Sequence, residues 1–285
     1  MPGWSEVDLH LHSTASDGSL SPAEVVALAA QRGLRVIALT DHDSTGGVDA
    51  AVEAAARLAA ALEVVPGVEI NTDVPEGEVH VLGYYLDHHD PGLQDRLSRL
   101  RAGRLDRGLG MVLRLRDLGL DVSWERVQEI AGAASGGAVG RPHVAQALLE
   151  RGHVATMQEA FERYIGRDGP GYVERAKLAP QEAVQLIRRA GGLAVLAHPA
   201  ESADWERYLP PLVEAGLAGL ECYYGTYAPD VVERLLAVAR QWCLVPTGGS
   251  DFHGEALTPA NPLGGTPVPL SAAVELKARH VGVTR

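Results

Sequence analysis

The sequence predicts an α/β fold of alternating βα units, either closed or nearly closed into a barrel or doubly wound into an open sheet. Short apolar runs recur along the chain, each ending in polar or charged residues, and most are followed by a segment of helical periodicity. The chain has 285 residues, 46% of them hydrophobic, which is enough for one large core carrying a smaller insert.

Taken in order, the first strand is Asp8-Leu9-His10-Leu11-His12-Ser13. The runs that follow are Arg35–Thr40 before Asp41-His42-Asp43, Glu63–Val68 before Glu69, and Val79–Leu86 containing His80. Further on come Leu193–Ala197 before His198, Leu217–Leu220 before Glu221, and Leu244–Thr247 before Gly248-Gly249-Ser250-Asp251. Near-continuous apolar runs suit buried parallel strands. The helices between them are punctuated: Ser21-Pro22-Ala23-Glu24 is a capping box with proline at the first helical position, and Gly33 is a stop. Ala179-Pro180-Gln181 opens another helix, which ends at Gly191-Gly192. In either candidate fold the active site lies at the carboxyl ends of the strands, which is where the ionisable residues stand.

The stretch from Leu97 to Leu178 breaks the pattern. It is arginine-rich, reads as amphipathic helices around Leu105–Leu118 and Val144–Leu149, and contains the loop-like Gly132-Ala133-Ala134-Ser135-Gly136-Gly137. The expected organisation is a discontinuous barrel domain over residues 1–97 and 179–285, with a helical insert domain over 98–178. Charge follows the same division: the net charge is −12, yet Ser98–Ala179 carries 13 Lys/Arg against 10 Asp/Glu, so the acidity lies in the rest. An acidic core that binds cations is compatible with an anionic substrate.

No segment resembles a secretory signal and no apolar run approaches a membrane span, so a soluble, cytoplasmic protein with no membrane contact and no obligate protein partner is expected. Cys222 and Cys243 sit in apolar segments without CxxC or Cys/His spacing and read as reduced core thiols. No Ser-His-Asp pattern or cysteine nucleophile with a base is visible.

The chemistry concentrates at the strand ends. His10 and His12, two apart on a strand, present two imidazoles to one face. Asp17 stands in a Ser-Asp-Gly turn, and Asp41-His42-Asp43 would be costly to bury unless paired with one another or with metal. Glu69 is placed to bridge two cations. His80 and His198 belong to two further strands, and Asp251 and His253 follow the last one, where Gly248 and Gly249 allow close backbone approach. The nine candidate ligands are therefore His10, His12, Asp17, His42, Glu69, His80, His198, Asp251 and His253, six of them drawn from the eleven histidines of the chain. Imidazole mixed with carboxylate and no thiolate suits manganese, iron or zinc in a catalytic site. His88 and His89, in Asp87-His88-His89-Asp90-Pro91, read as a solvated turn, and Tyr223, Tyr224 and Tyr227 either line a pocket or pack at its rim.

These motifs resemble those of the polymerase and histidinol phosphatase (PHP) superfamily. The match is to Asp8-Leu9-His10-Leu11-His12-Ser13, Thr40-Asp41-His42-Asp43, His198-Pro199 and Gly249-Ser250-Asp251-Phe252-His253, and it spans almost the whole chain. The resemblance implies a distorted (β/α)7 barrel and a trinuclear centre. One ion would be held by His10, His12, Glu69 and Asp251, a second by Glu69, His80 and His198, and a third by Asp17, His42 and His253. Two or three divalent ions are expected, manganese first, then iron or zinc.

The insert adds Gly140-Arg141-Pro142-His143 at a helix start, with Tyr164-Ile165-Gly166-Arg167 and Tyr172-Val173 downstream. This resembles the subgroup that removes the 3′-phosphate of nucleoside 3′,5′-bisphosphates, some members of which also trim short RNA from the 5′ end. A small phosphorylated nucleotide, or a short RNA end, is the substrate this implies. Arginine and backbone N–H groups at a helix N-terminus cradle phosphate, so Arg141 and His143 are the expected substrate contacts, with Lys177 as a third. The expected reaction is metal-assisted phosphate-ester hydrolysis, with Asp43 or His198 as the acid for the leaving group. Its rivals are an amidohydrolase-type C–N hydrolase, which shares the HxH strand and the late aspartate, and a histidinol phosphatase.

Overall fold

A computed structural model describes residues 4–58, 61–74, 77–132, 139–174, 178–202 and 204–283. Lys177 and residues 133–137 of the expected insert loop lie outside the described residues. Seven strands run in chain order across one sheet: β1 (Val7–Leu11), β2 (Val36–Leu39), β3 (Glu63–Val74), β4 (Gly77–Tyr84), β5 (Leu193–Leu196), β6 (Gly219–Tyr224) and β7 (Val245–Gly249). Leu11 bridges to Phe252, just beyond β7, so the first and last strands meet and the sheet is a nearly closed barrel. The predicted distorted seven-stranded barrel is the fold.

The distortion has a specific cause. All neighbouring strands pair in parallel except at β4, which is antiparallel to both β3 and β5. The sequence reading of buried parallel strands fails there, because only two residues separate Val74 from Gly77, and a parallel crossover needs a dozen or more. A hairpin is the only connection available. The reversal brings His80 toward the same end of the barrel from the opposite chain direction, opposite Asn71 on β3.

Ten α-helices occur among the described residues: α1 (Pro22–Gln31), α2 (Val48–Ala56), α3 (Pro91–Asp117), α4 (Trp124–Ile130), α5 (Arg141–Glu150), α6 (Met157–Ala160), α7 (Pro180–Arg189), α8 (Leu209–Ala215), α9 (Pro229–Gln241) and α10 (Leu270–Val283). The capping box of α1 is present in both directions, with the Glu24 N–H donating to Ser21 Oγ and the Ser21 N–H donating to Glu24 Oε2 at 2.8 Å. Helix α3 begins well before the expected Leu105. The Leu93 N–H donates to Asp90 Oδ1 at 2.7 Å and Pro91 takes the first helical position, so the supposed turn at residues 87–91 is a helix start.

The chain divides into two compact units, Met1–Asp95 with Leu178–Arg285, and Arg96–Lys177. In the first, one cluster gathers Val7, Leu9, Val65, Leu82, Val195 and Leu276, and a second gathers Leu11, Val25, Ile37, Leu39 and Phe252. Burying each such side chain contributes about 1.5–3 kcal/mol, and this offsets the cost of the charged groups that the barrel encloses at one end. In the second unit Met111, Leu115, Val122, Val127, Val144 and Leu148 form a separate core. No helix among the described residues is long and apolar enough to cross a membrane.

The cysteines depart from expectation in part. Cys222 is buried as a free thiol, but Cys243 is free and exposed. It follows α9 with φ of 54°, and the Leu244 N–H reaches back to the Ala239 carbonyl, so this residue turns the chain out of the helix and does not pack.

Candidate metal centre

Every strand with a candidate ligand delivers it to the same end of the barrel. The pleat of β1 puts His10 and the residue just past its end, His12, on one side, with ring centroids 5.2 Å apart. His42 follows β2 and forms an isolated bridge to Glu69 of β3. His80 comes from β4, while His198 and Asp251 each lie two residues beyond the ends of β5 and β7. Asp43, His198 and Asp251 have φ of 50°, 23° and 54°, left-handed backbone that non-glycine residues adopt at a cost of about 1 kcal/mol or more. Strain of this kind persists where the surroundings dictate the direction of a side chain.

Glu69 is the hub. It is fully buried, and its two oxygens face different imidazoles. Oε2 lies 3.1 Å from His10 Nε2, 3.2 Å from His12 Nε2 and 3.0 Å from His42 Nδ1. Oε1 lies 2.8 Å from His80 Nδ1 and 3.2 Å from His198 Nε2. Asp251 Oδ1 is 3.3 Å from His10 Nε2 and 3.1 Å from His12 Nε2, and Asp17 Oδ1 is 3.3 Å from His253 Nε2. All nine residues singled out in the sequence therefore meet in one place.

Ligand atoms of eight of the nine, all but His198, form three overlapping groups, each with all atoms within 4.8 Å of one another: His10, His12, Glu69 and Asp251; His42, Glu69 and His80; and His12, Asp17, His42 and His253. The expected partition differs in detail, because His42 stands where the resemblance placed His198, and His12 joins the third group. His198 still faces the same Glu69 oxygen as His80.

The donor set fits divalent cations on the structure's own terms. His12 Nδ1 and Nε2, Asp17 Oδ1 and Asp251 Oδ1 are buried, yet none finds a hydrogen-bond partner among the described residues. Lone pairs that converge on a point without bonding one another are what a cation requires, and burying them otherwise costs about 1–3 kcal/mol each.

The electrostatics agree. Burial opposes ionisation of Glu69, but His42, His10 and His80 outweigh it and hold the carboxyl well below its usual range. Asp17, against His42 and His253, and Asp251, against His10 and His253, are likewise held well below theirs despite burial. Burial likewise opposes the charging of His80, yet Glu69 pushes it up to about 9, and Asp17 and Asp251 push His253 up to about 10. The cluster attracts positive charge, and in the protein alone that charge is protons.

The other sequence-predicted residues lie as follows. Asp43 is fully buried, accepts the Asn71 N–H at 3.1 Å and donates its own N–H to the Glu69 carbonyl. Arg141 and His143 stand in the first turn of α5 in the second unit, where His143 Nδ1 accepts the Gly140 N–H at 2.9 Å and the Arg141 guanidinium lies over the Phe161 ring. His88 and His89 lean on Asp49 Oδ1 at 2.9 and 3.4 Å, in an exposed cluster apart from the other three groups.

Several supporting roles escaped the sequence reading. Asp41 was expected to pair with its neighbours or with metal, but it accepts from the Ser13 N–H, Ser13 Oγ and Ser16 Oγ at 2.7–2.8 Å and fixes the turn that carries Asp17. Asp8 holds Ser250 and Gly264 in the same manner. Tyr224 donates its hydroxyl to Asp251 Oδ2 at 2.8 Å. Glu221 accepts from His10 Nδ1. The signal for the two aspartates was present, since each sits in a ligand motif too polar to be buried unpartnered. Gly249 has its expected role: a Cβ there would collide with the backbone nitrogen and Cβ of His10.

A nearly closed α/β barrel whose strand ends gather imidazoles and carboxylates around one shared glutamate defines a metal-dependent hydrolase. The chain matches the PHP domain family over residues 8–166 and belongs to it. It is 36% identical to the 5′-3′ exoribonuclease Rnm of Salmonella typhimurium over 250 residues, covering 86% of this chain and 84% of that protein. It is 34% identical to the 3′,5′-nucleoside bisphosphate phosphatase of Chromobacterium violaceum over 253 residues, 87% of each chain. It is also 34% identical to the phosphoribosyl 1,2-cyclic phosphate 1,2-diphosphodiesterase of Eggerthella lenta, covering 87% of this chain and 94% of that one. A crystal structure described as a metal-dependent phosphoesterase from Bifidobacterium adolescentis superposes with a TM-score of 0.87 at 30% identity, covering 98% of both chains. The protein is a metal-dependent phosphoesterase of the PHP family.

Proposed function

We propose that this phosphoesterase removes the 3′-phosphate from nucleoside 3′,5′-bisphosphates and also accepts short 5′-phosphorylated RNA. The nine clustered residues would hold two or three divalent ions, manganese foremost. The observation that carries the reading is Glu69, whose two oxygens each face a different set of imidazoles, an arrangement suited to bridging cations that together engage a phosphate. The relatives named as a bisphosphate phosphatase and an exoribonuclease support the nucleotide part.

Bound divalent cations supply activated water at neutral pH and neutralise charge on phosphoryl oxygens. The protein's own groups do the rest. His10, His12, His42, Glu69, His80, Asp251, His253, Asp17 and His198 position that charge at the strand ends. Of the two acid candidates, Asp43 is enclosed and His198 has a side chain 15% exposed; with Nε2 turned toward Glu69, His198 would have only its Nδ1–H to give a leaving alkoxide. Arg141 and the N-terminal N–H groups of α5 have the chemistry to take a phosphate, with His143 shaping that turn and Lys177 as a further cation.

The test is phosphate release by metal-replete protein from a nucleoside 3′,5′-bisphosphate, a 5′-phosphorylated oligoribonucleotide, histidinol phosphate and a ribose cyclic phosphate. Preference for the bisphosphate supports the reading. Preference for the cyclic ester would transfer it to the chemistry for which the Eggerthella lenta relative is named.

A further inference from the structure

We infer that Glu221 is a positioning residue that sets the direction of two neighbouring imidazoles, His10 and His198, which face different oxygens of Glu69. The inference rests on the reading that these imidazoles bind metal. Glu221 lies in β6, is fully buried, and belongs to none of the three ligand groups. Its Oε1 is 3.0 Å from His10 Nδ1, and its Oε2 accepts the backbone N–H of His198 at 2.6 Å.

The first contact fixes a tautomer. A carboxylate has only acceptors, so His10 Nδ1 carries the hydrogen and Nε2 presents its lone pair toward Glu69 Oε2 and Asp251 Oδ1. The second contact fixes a backbone. His198 has φ of 23°, an unfavourable value, and the bond from its N–H to Glu221 helps hold it there, with Nε2 aimed at Glu69 Oε1. One outer carboxylate thus orients imidazoles that reach the two separate oxygens of the inner one.

The strand is shaped for this. The register between β6 and β7 shifts between Glu221 and Tyr223, and a break in register re-aims side chains at the rim of a sheet. A merely space-filling residue there would not need two acceptors, both satisfied by donors from ligand residues. Carboxylates behind metal-bound histidines commonly govern affinity through this orientation.

Glu221→Gln separates the roles, because glutamine keeps the volume but has one acceptor and one donor group. Either His10 Nδ1–H or the His198 N–H must then face an NH2. Chelator-stripped wild type, Glu221→Gln and His10→Ala are titrated with Mn2+ by calorimetry, and the melting temperatures of the metal-free proteins are compared. The expected result is that Glu221→Gln binds Mn2+ about 10–100-fold more weakly, or loses an ion, while its metal-free melting temperature stays close to wild type. Unchanged affinity and stoichiometry in Glu221→Gln, with loss in His10→Ala, would overturn the role of Glu221 alone. No Mn2+ uptake by wild type would overturn the metal reading and this inference with it. If Glu221→Gln does not fold, imidazole 15N NMR of wild type loaded with diamagnetic Zn2+ decides: His10 keeping its hydrogen on Nδ1 supports the inference, and His10 with its hydrogen on Nε2 overturns it.

Discussion

Asp8 and Ser250, 242 positions apart in the chain, are joined by two hydrogen bonds, from the Ser250 N–H to Asp8 Oδ1 at 2.9 Å and from Ser250 Oγ to Asp8 Oδ2 at 2.6 Å. The same carboxyl accepts the Gly264 N–H at 2.8 Å. The first strand is thereby tied to the segment after the last one, beside the candidate ligands His10 and Asp251. Because the residue is buried, Asp8→Asn turns an amide donor toward the Gly264 N–H and should cost about 1–3 kcal/mol of stability. Chemical denaturation measures this. Unaltered stability would mean that the closure of the barrel does not depend on this clamp.

Removing a ligand should act on metal and turnover together. His10→Ala or Asp251→Asn is expected to lower bound metal per chain and to reduce phosphate release by at least about 100-fold, since each residue reaches into the group around Glu69. Metal analysis beside a phosphate assay checks both effects. Near-normal activity in either variant would refute the site as drawn.

Arg141→Ala should behave differently. It is expected to raise KM by about tenfold or more, the scale of a lost charge-assisted phosphate contact, and to leave metal content intact. Steady-state kinetics on the bisphosphate with parallel metal analysis will show it. Metal loss equal to that of His10→Ala would make the helix start structural.

Metal uptake should be proton-linked. His80 and His253, raised to about 9 and about 10, are protonated in the metal-free protein near neutral pH. An ion needs those nitrogens bare, and His10, although burial opposes its charging, is likewise held above its usual range by Glu221, Asp251 and Glu69. Binding at about pH 7.5 therefore releases at least about two protons, and affinity rises about tenfold per pH unit for each. In the metal-free protein these raised values stabilise the fold fully below about pH 6.5, and that contribution is lost as pH climbs through about 9 to 10. Calorimetric titration in two buffers of different ionisation enthalpy counts the protons. Zero net release would contradict the assignment of these imidazoles.

Most of the nine clustered residues were legible because they are charged or titratable residues at or near the end of an apolar run, where burial without a partner is costly, whereas Asp17 stands in the turn before α1 and His80 within β4. The reversal of β4 was legible in principle from the two residues between Val74 and Gly77, but its apolar composition matched that of the parallel strands and concealed it. Asp90-Pro91 was a helix start that looked like a turn, since aspartate and proline favour both. Glu221 and Tyr224 could not be found by motif, because what marks them is the ligand each one touches across the barrel, His10 and Asp251, and only the fold supplies that contact.

The bridging role of Glu69 is most directly tested by electron paramagnetic resonance of protein reconstituted with Mn2+. Ions sharing its carboxylate would stand about 3.5–4 Å apart and give an exchange-coupled spectrum, which Glu69→Gln would abolish. A spectrum of magnetically isolated ions in the fully loaded wild type would contradict it.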